Sequence, residues 1–371
     1  MLWTSSKEHL LTALARVQKV VASNPRSVQI LQCVKLEASS DGLFVIATSN
    51  MANVKVQVTD AVVKAPGIIV VSLEKLKDRL QKTTGVVEFN ANSTTLHLTS
   101  SEDQKLGIRL NDSREFPPVE WVEQDESYGL DASEVISLFS TVRSLAQSAS
   151  ALTPAFLQAK IEDQKIFCSS GVLYRVLPLK ANPSLVARIP LSTLAALGSF
   201  IDEASEDMIW LSQYGADSVV VTVGQDQYQA VPLAVDFPSI SPLISRVDIA
   251  SIYTFQVDRM KLLREARRAR SSADDDGVIT LTIRGIGTAA AAHVKAESKT
   301  GDYYTSVVAG SWDGDTDRVL SFQADSLINF LNSYNDDKIS IQVGSDTHAD
   351  RAPIIVREGD GVGVLNQYLA E

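Results

Sequence analysis

The amino-acid sequence predicts an α+β protein built from three similar domains, each with two helices packed on antiparallel sheet. Three observations lead to this fold class. The chain has 371 residues, which is too long for one ordinary hydrophobic core. An unusual acidic-Phe-Pro segment occurs twice, about a third of the chain apart. Each third also shows the same order of apolar helical stripes and short alternating runs.

The repeated segment gives the period of the chain. Glu115-Phe116-Pro117 is followed two residues after the first proline by Val119, and Asp236-Phe237-Pro238 is followed two residues later by Ile240. A single Phe-Pro pair could arise by chance, but the same surroundings would rarely recur with it. The repeat therefore indicates a structural unit of about 120 residues.

Each third begins with an amphipathic helix. Apolar residues three or four positions apart form one stripe along such a helix. The stripes of the three opening helices are Leu10, Leu14, Val17 and Val21; Val135, Leu138, Val142 and Leu145; and Leu262, Leu263, Ala266 and Ala269. A second helix in each third is predicted from Leu73, Leu76 and Leu80; Leu194, Leu197 and Ile201; and Leu327, Phe330 and Leu331.

Short alternating runs around these helices predict strands. In the first third they are 86–90, 94–99 and 105–110; in the second, 187–190, 208–211, 218–223 and 228–233; in the third, 318–322, 339–343 and 352–356. We expect three domains, at residues 1–123, 124–247 and 248–371.

Composition narrows the class of protein. The chain is 45% hydrophobic and 21% charged, which is typical of a globular protein. The sequence contains no apolar run of the length that spans a membrane, and the start of the chain, 1–16, lacks the apolar block of a signal peptide. Two cysteines, Cys33 and Cys168, are too few for a disulfide framework. We therefore expect a cytoplasmic protein.

The sequence offers no clear catalytic or metal site. Its four histidines are scattered, and no HxxxH or CxxC spacing occurs. We expect no cofactor, no metal and no enzymatic activity. One alternative stays open: Gly285–Ala290 fits G-x-G-x-x-A after a strand-like run, as in nicotinamide-dependent oxidoreductases. A small-residue β-turn is the preferred interpretation.

Positive charge is concentrated on helices, although the formal net charge is −11. Basic residues lie opposite the apolar stripes of three helices, a distribution that favours contact with nucleic acid phosphates whatever the net charge. They are Arg16 and Lys19; Lys75, Arg79 and Lys82; and Lys261, Arg264, Arg267 and Arg268. No aromatic or base-reading cluster accompanies them, so these residues predict binding of double-stranded DNA without sequence preference.

Several short segments, in this order and spacing, resemble the β sliding clamps of bacterial replicative DNA polymerases. They are Gly42–Thr48, Pro66-Gly67 with the apolar run after it, both Phe-Pro segments, and Tyr174-Arg175-Val176. The sequence departs from the family at Ser49, where the family has Asp, before Tyr174, and in the last six residues. These departures suggest a divergent or phage-encoded member.

The resemblance implies a DNA sliding clamp: two chains head-to-tail in a closed ring that encircles duplex DNA. Such a ring tethers the replicative DNA polymerase and confers processivity. It also implies that polymerase and clamp loader bind through short peptide motifs. Carried over by position, the residues of the partner-peptide pocket are Leu157, Tyr174, Arg175, Val176, Pro238, Pro242, Leu243, Val364 and Leu365. A repeat scaffold that binds only proteins is the other alternative.

Overall fold

The structure is a computed structural model. It describes residues 1–21, 28–100, 105–122, 128–146, 154–204, 206–238, 252–274, 277–344 and 353–368. The chain divides into two compact units, one formed by 1–139 with 184–233 and the other by 140–183 with 234–371. The predicted domain boundaries, at 123–124 and 247–248, lie outside the described residues and stay a prediction.

The six predicted helices are present within the described ranges. They are α1 (Lys7–Gln18), α2 (Leu73–Gln81), α3 (Ala132–Ala146), α4 (Leu194–Asp202), α5 (Arg259–Arg270) and α6 (Ala324–Asn332). Polar side chains start three of them: Ser6, Ser72 and Asp258 each accept a hydrogen bond from the backbone N–H three residues later. Such caps satisfy N–H groups that have no partner inside the helix.

Strands make up much of the rest of the described residues and outnumber those predicted. In the first third they are β1 (Leu2–Ser6), β2 (Cys33–Ser39), β3 (Gly42–Thr48), β4 (Ala52–Val58), β5 (Val62–Ala65), β6 (Gly67–Ser72), β7 (Val86–Ala91), β8 (Thr95–Ser100) and β9 (Lys105–Arg109). In the second they are β10 (Gly129–Asp131), β11 (Gln158–Glu162), β12 (Lys165–Ser169), β13 (Leu173–Pro178), β14 (Ala187–Pro190), β15 (Met208–Tyr214), β16 (Ser218–Val223) and β17 (Asp226–Ala230). In the third they are β18 (Ile252–Asp258), β19 (Val278–Arg284), β20 (Ala291–Glu297), β21 (Tyr303–Trp312), β22 (Arg318–Gln323), β23 (Lys338–Gly344), β24 (Ile354–Glu358) and β25 (Gly361–Leu365). The predicted α+β class is confirmed.

The first unit contains two antiparallel sheets. One has the strand order β5-β1-β7-β8-β9 and the other β10-β15-β16-β17-β4-β3-β2-β6. Apolar residues of helices and sheets form its core, in which Trp3 stacks on Phe89 with ring centres 4.7 Å apart. The fully buried stripe of α1, Leu10 and Leu14 among others, explains why the helical periodicity is visible in the sequence.

The second unit is built around one long sheet. Its strands follow the order β11-β12-β13-β25-β24-β23-β18-β21-β20-β19-β22. The opening helix α5 buries Leu262, Ala266 and Ala269, and α6 buries Leu327 and Phe330.

Two strand pairings within the chain have the same register, and we call them joints. At the first joint β17 pairs antiparallel with β4, and Ala230 lies opposite Ala52. At the second, β25 pairs antiparallel with β13, and Leu365 lies opposite Leu173. Ala52 and Leu173 are equivalent, since each carbonyl accepts a hydrogen bond that closes its hairpin, from Ser49 and Ser170. Each joint therefore pairs the last strand of one third with the same hairpin strand of the third before it.

The last third has a corresponding hairpin that is one residue longer. There the N–H of Ser298 donates to the carbonyl of Asp302, and β21 follows. Residues 303–309 of β21 pair with β20 on one side, and β9 pairs with β8 on one side. Within the described ranges, the second edge of each of these two segments is not paired.

Candidate functional site

The basic residues predicted on α5 lie on one exposed face. The side chains of Lys261, Arg264 and Arg268 are 62%, 59% and 60% exposed, and Arg267 is exposed beside them. With Met260 and Leu263 they line a surface groove of about 760 Å³. The buried stripe of the helix lies on its other side, so packing aims the cations outwards.

A carboxylate that the sequence analysis did not single out orders these arginines. Glu265 is nearly buried, and its oxygens accept hydrogen bonds from Arg264 at 3.0 Å, Arg268 at 3.1 Å and the hydroxyl of Tyr304. The hydrogen bond from Tyr304, with those from the arginines, lowers the pKa of Glu265 to about 2. Glu265 therefore stays ionised and fixes two guanidinium groups in place.

The predicted cations of α1 are engaged at the first joint. Arg16 is 9% exposed and forms an ion pair with Asp226 of β17. It also donates to the carbonyl of Phe200 at 3.1 Å and lies over that ring at 4.9 Å. Lys19 forms an ion pair with Glu203. Part of the positive charge predicted to meet DNA is thus neutralised by acids of the second third.

The basic side chains of α2 are more exposed to solvent than Arg16 of α1 is. Lys75 and Lys82 are exposed and Arg79 is half-buried. Lys82 forms an ion pair with Asp78 one turn earlier, at 3.0 Å, and exposed pairs of this kind are weak. Contact of these residues with DNA stays a prediction.

Most residues predicted for the peptide pocket lie at the second joint. Tyr174, Arg175 and Val176 on β13 are paired with the β25 segment that contains Val364 and Leu365. Val176, Val364 and Leu365 are buried, at 5%, 2% and 0% exposure. These three residues supply strand packing and are not accessible to a peptide.

Tyr174 and Leu157 form the accessible part of the predicted pocket. Both are half-buried, and Tyr174 meets the ring of Phe156 edge-on, with centres 6.2 Å apart. Phe156 was not among the residues predicted for the pocket, although it directly precedes Leu157. Pro238 is half-buried; Pro242 and Leu243 lie outside the described residues.

Arg175 has a structural environment. Its side chain is completely buried, donates to Glu358 at 2.7 Å and to the carbonyl of Ser333 at 3.2 Å, and lies over the ring of Tyr334 at 3.7 Å. A buried cation requires such partners. The side chain of Arg175 therefore stabilises the interior of the second unit and is not accessible to a peptide.

The Gly285–Ala290 segment is a hairpin turn. Gly285 and Gly287 have φ values of 87° and 59°, a region that favours glycine. The turn joins β19 to β20, which pair antiparallel. A dinucleotide site needs a helix after the turn, and a strand follows here. The oxidoreductase alternative is not supported.

Metal clusters and membrane-spanning helices are both absent from the described parts of the chain. No group of three or more His, Cys, Asp or Glu residues there could hold a metal ion. No helix within those ranges is long and apolar enough to cross a membrane.

Comparison with known proteins points to one family. The sequence profile of the DNA polymerase III beta subunit, N-terminal domain, matches residues 1–120. No curated protein sequence matches the chain significantly. Similar solved structures include the DNA polymerase sliding clamp of Bacillus subtilis, with 15% identity and a TM-score of 0.81. Others are the DNA polymerase III beta subunits of Pseudomonas aeruginosa, with 16% and 0.80, and Thermotoga maritima, with 14% and 0.77.

Each of these three alignments covers 100% of both chains. At such low identity, the structural similarity establishes the fold alone, and the sequence profile covers about a third of the chain. Residues 1–120 match the N-terminal domain of the DNA polymerase III beta subunit, and the whole chain has the fold of the bacterial β sliding clamps.

Proposed function

We propose that this protein is a DNA sliding clamp: a head-to-tail homodimer that encircles duplex DNA and tethers a DNA polymerase to it. The role is non-catalytic, and a cytoplasmic setting is the expectation that accompanies it. The observation that carries the proposal is the pair of unpaired strand edges on β9 and β21. The chain makes two joints within itself, and these two edges are the strands that one more joint, between two subunits, would pair.

The two strands of this intersubunit joint correspond to the strands of the two internal joints. Strand β9 is the last strand of residues 1–120, as β17 is the last strand of the middle domain, and β21 follows a hairpin that corresponds to the one before β4. When core-facing residues are aligned, Leu106 corresponds to Tyr228, which lies opposite Val54 at the first joint. The same register would place Leu106 opposite Tyr304 of the partner subunit. An interface that joins unlike surfaces and closes by rotation forms a ring.

The helices fit the same arrangement. At the first joint, the outer face of α1 meets α4 through Arg16 and Lys19. The position on α5 that corresponds to Arg16 is the exposed Arg268, and the helix that corresponds to α4 in the first third is α2. In the ring, α2 of one subunit would therefore lie against α5 of the other.

DNA binding is assigned to the basic helices. Arg264 and Arg267 supply exposed charge on α5, and Lys75 supplies it on α2. Contacts to phosphates alone carry no sequence information, which suits a ring that must slide. Peptides of the polymerase and clamp loader are assigned to the surface of Leu157 and Tyr174, with Phe156 added from the structure.

The test has two parts. The full chain should sediment as a dimer at micromolar concentration, and should be retained on nicked circular DNA and released when that DNA is linearised. Leu106→Asp should yield monomers that fail to stay on the circle. The matched control is Val62→Asp, on the exposed edge strand at the other side of the same sheet, which should remain dimeric.

Two results would contradict the proposal. One is a wild-type monomer at micromolar concentration under all buffer conditions. The other is retention that is the same on circular and linear DNA, which would favour ordinary binding to DNA over encirclement.

A further inference from the structure

The first joint owes its helix contacts to opposite charges. Arg16 and Lys19 of α1 meet Asp226 and Glu203 of the second third. Two cations are matched by two carboxylates, and the Arg16 pair is largely shielded from solvent. Pairs of this type favour association when both partners are present.

Helix α5 also has a basic residue at the position equivalent to Arg16 of α1, and that residue is exposed. Helices α1 and α5 each start after a capping residue, Ser6 and Asp258, and bury the same positions, for example Leu10 and Leu262. In this alignment Arg16 corresponds to Arg268. At the proposed interface between two subunits, Arg268 would therefore occupy the position that Arg16 occupies at the first joint.

Glu203, the acid at the end of α4 that contributes to the first joint, has no acidic counterpart on α2. Helices α2 and α4 bury the same positions, Leu73, Leu76 and Leu80 in one and Leu194, Leu197 and Ile201 in the other. In this alignment Glu203 corresponds to Lys82 and Phe200 corresponds to Arg79. The charged residues of β9, Lys105 and Arg109, are also basic.

We infer that the joint which closes the ring is cationic on both sides, and that a sulfate- or phosphate-type oxyanion bound between the subunits stabilises it. The inference rests on the proposed ring. The residues of the proposed anion site are Arg268 of one subunit with Arg79 and Lys82 of the other. They occupy the region in which Arg16 and Lys19 form ion pairs at the first joint. Guanidinium groups bind such anions through paired N–H donors.

Glu265 does not remove this excess of charge. Its carboxylate is shared between Arg264 and Arg268 within one chain, so one negative charge faces two arginines. Asp78 is similarly occupied by Lys82. Like charges brought together across an interface oppose association, and dissolved salt screens them over about 10 Å at 0.1 M.

The experiment is sedimentation of the full-length chain over a dilution series, which gives the dimer dissociation constant. We compare low ionic strength, about 50 mM, with about 300 mM, using sodium chloride and sodium sulfate matched in ionic strength. Dimerisation should tighten as salt rises, and sulfate should tighten it about tenfold more than chloride does.

A charge reversal tests the residues. Lys82→Glu supplies the acid that the first joint has as Glu203, and should tighten the dimer about tenfold at low salt and abolish the sulfate effect. The matched control is Lys77→Glu on the same helix, because Lys77 donates to Gln18 of α1 and lies away from the proposed contact. It should leave the sulfate effect intact, and melting curves of both variants verify folding.

The possible outcomes separate this inference from the ring itself. A dimer that weakens steadily with salt would overturn the inference alone. Equal effects of sulfate and chloride would also overturn it. A chain that is monomeric in every buffer would overturn the proposed ring together with it.

Discussion

Arg175 and Tyr334 lie face to face in the interior of the second unit, with the guanidinium carbon 3.7 Å from the centre of the ring. The same guanidinium donates to Glu358, so one buried cation links strand β13 to β24 and to the turn after α6. Removing the arginine would leave Glu358 without its cation and open a cavity under the ring.

We therefore expect Arg175→Ala to lower the free energy of unfolding by about 3–5 kcal/mol. Arg175→Lys should recover only part of this, because an ammonium group cannot reproduce the planar contact. Urea denaturation followed by tryptophan fluorescence measures both. Arg357→Ala, at an exposed position of β24, is the control and should change the value by about 0.5 kcal/mol or less.

Glu265 should make stability depend on pH. Its folded-state pKa is about 2, below the value of about 4.3 in an unfolded chain. The stabilisation is therefore complete above about pH 5 and disappears as the pH falls towards 2. Glu265→Gln should be about 2 kcal/mol less stable than the wild type at pH 7, and the difference should shrink between pH 5 and pH 2. A constant difference across that range would contradict the assigned hydrogen bonds.

Charge reversal on α5 tests the DNA-binding face. Changing Arg264 and Arg267 to Glu should weaken binding to duplex DNA and reduce the log–log salt dependence by about one unit for each phosphate that the variant no longer binds. A double charge reversal at Lys64 and Lys295, both exposed on strands, has the same change in net charge and should bind nearly as the wild type does. Equal weakening in both variants would indicate an effect of net charge alone.

The peptide pocket is tested by polymerase stimulation. Leu157→Asp, or deletion of the residues from Asn366 to Glu371, should abolish stimulation and leave the dimer intact, since an apolar anchor site does not tolerate a buried charge. Ile286→Asp, at an exposed turn, is the control for adding a carboxylate. Full stimulation by Leu157→Asp would place the docking site elsewhere on the protein.

The sequence predicted the helices well, for a physical reason. Leu10, Leu14 and Val17 are buried at helical spacing, and such a stripe depends only on neighbours along the chain. Several strands were missed. β10 has three residues, too few to show a period, and in β25 four of five positions are buried, which removes the alternation. By contrast, β4 alternates along its whole length and was missed although its period is visible in the sequence.

The site was predictable to a smaller degree. Arg264 and Arg268 were identified from the helical wheel, but Glu265 was not identified as their common partner. Its burial depends on Tyr304, 39 residues away in sequence. The ion pair of Arg16 with Asp226, 210 residues away, could not be predicted for the same reason. Contacts between distant segments determine which charged side chains are exposed, and these contacts cannot be read from a single sequence.

The second joint sets an order of events during synthesis. Arg175 and Glu358 are separated by 183 residues, and β13 can pair with β25 only after residues 361–365 have been synthesised. Until then, a nascent chain carries an unsatisfied arginine and an unpaired strand edge, both of which favour aggregation. We therefore expect β13 to reach its final packing only after β25 has left the ribosome.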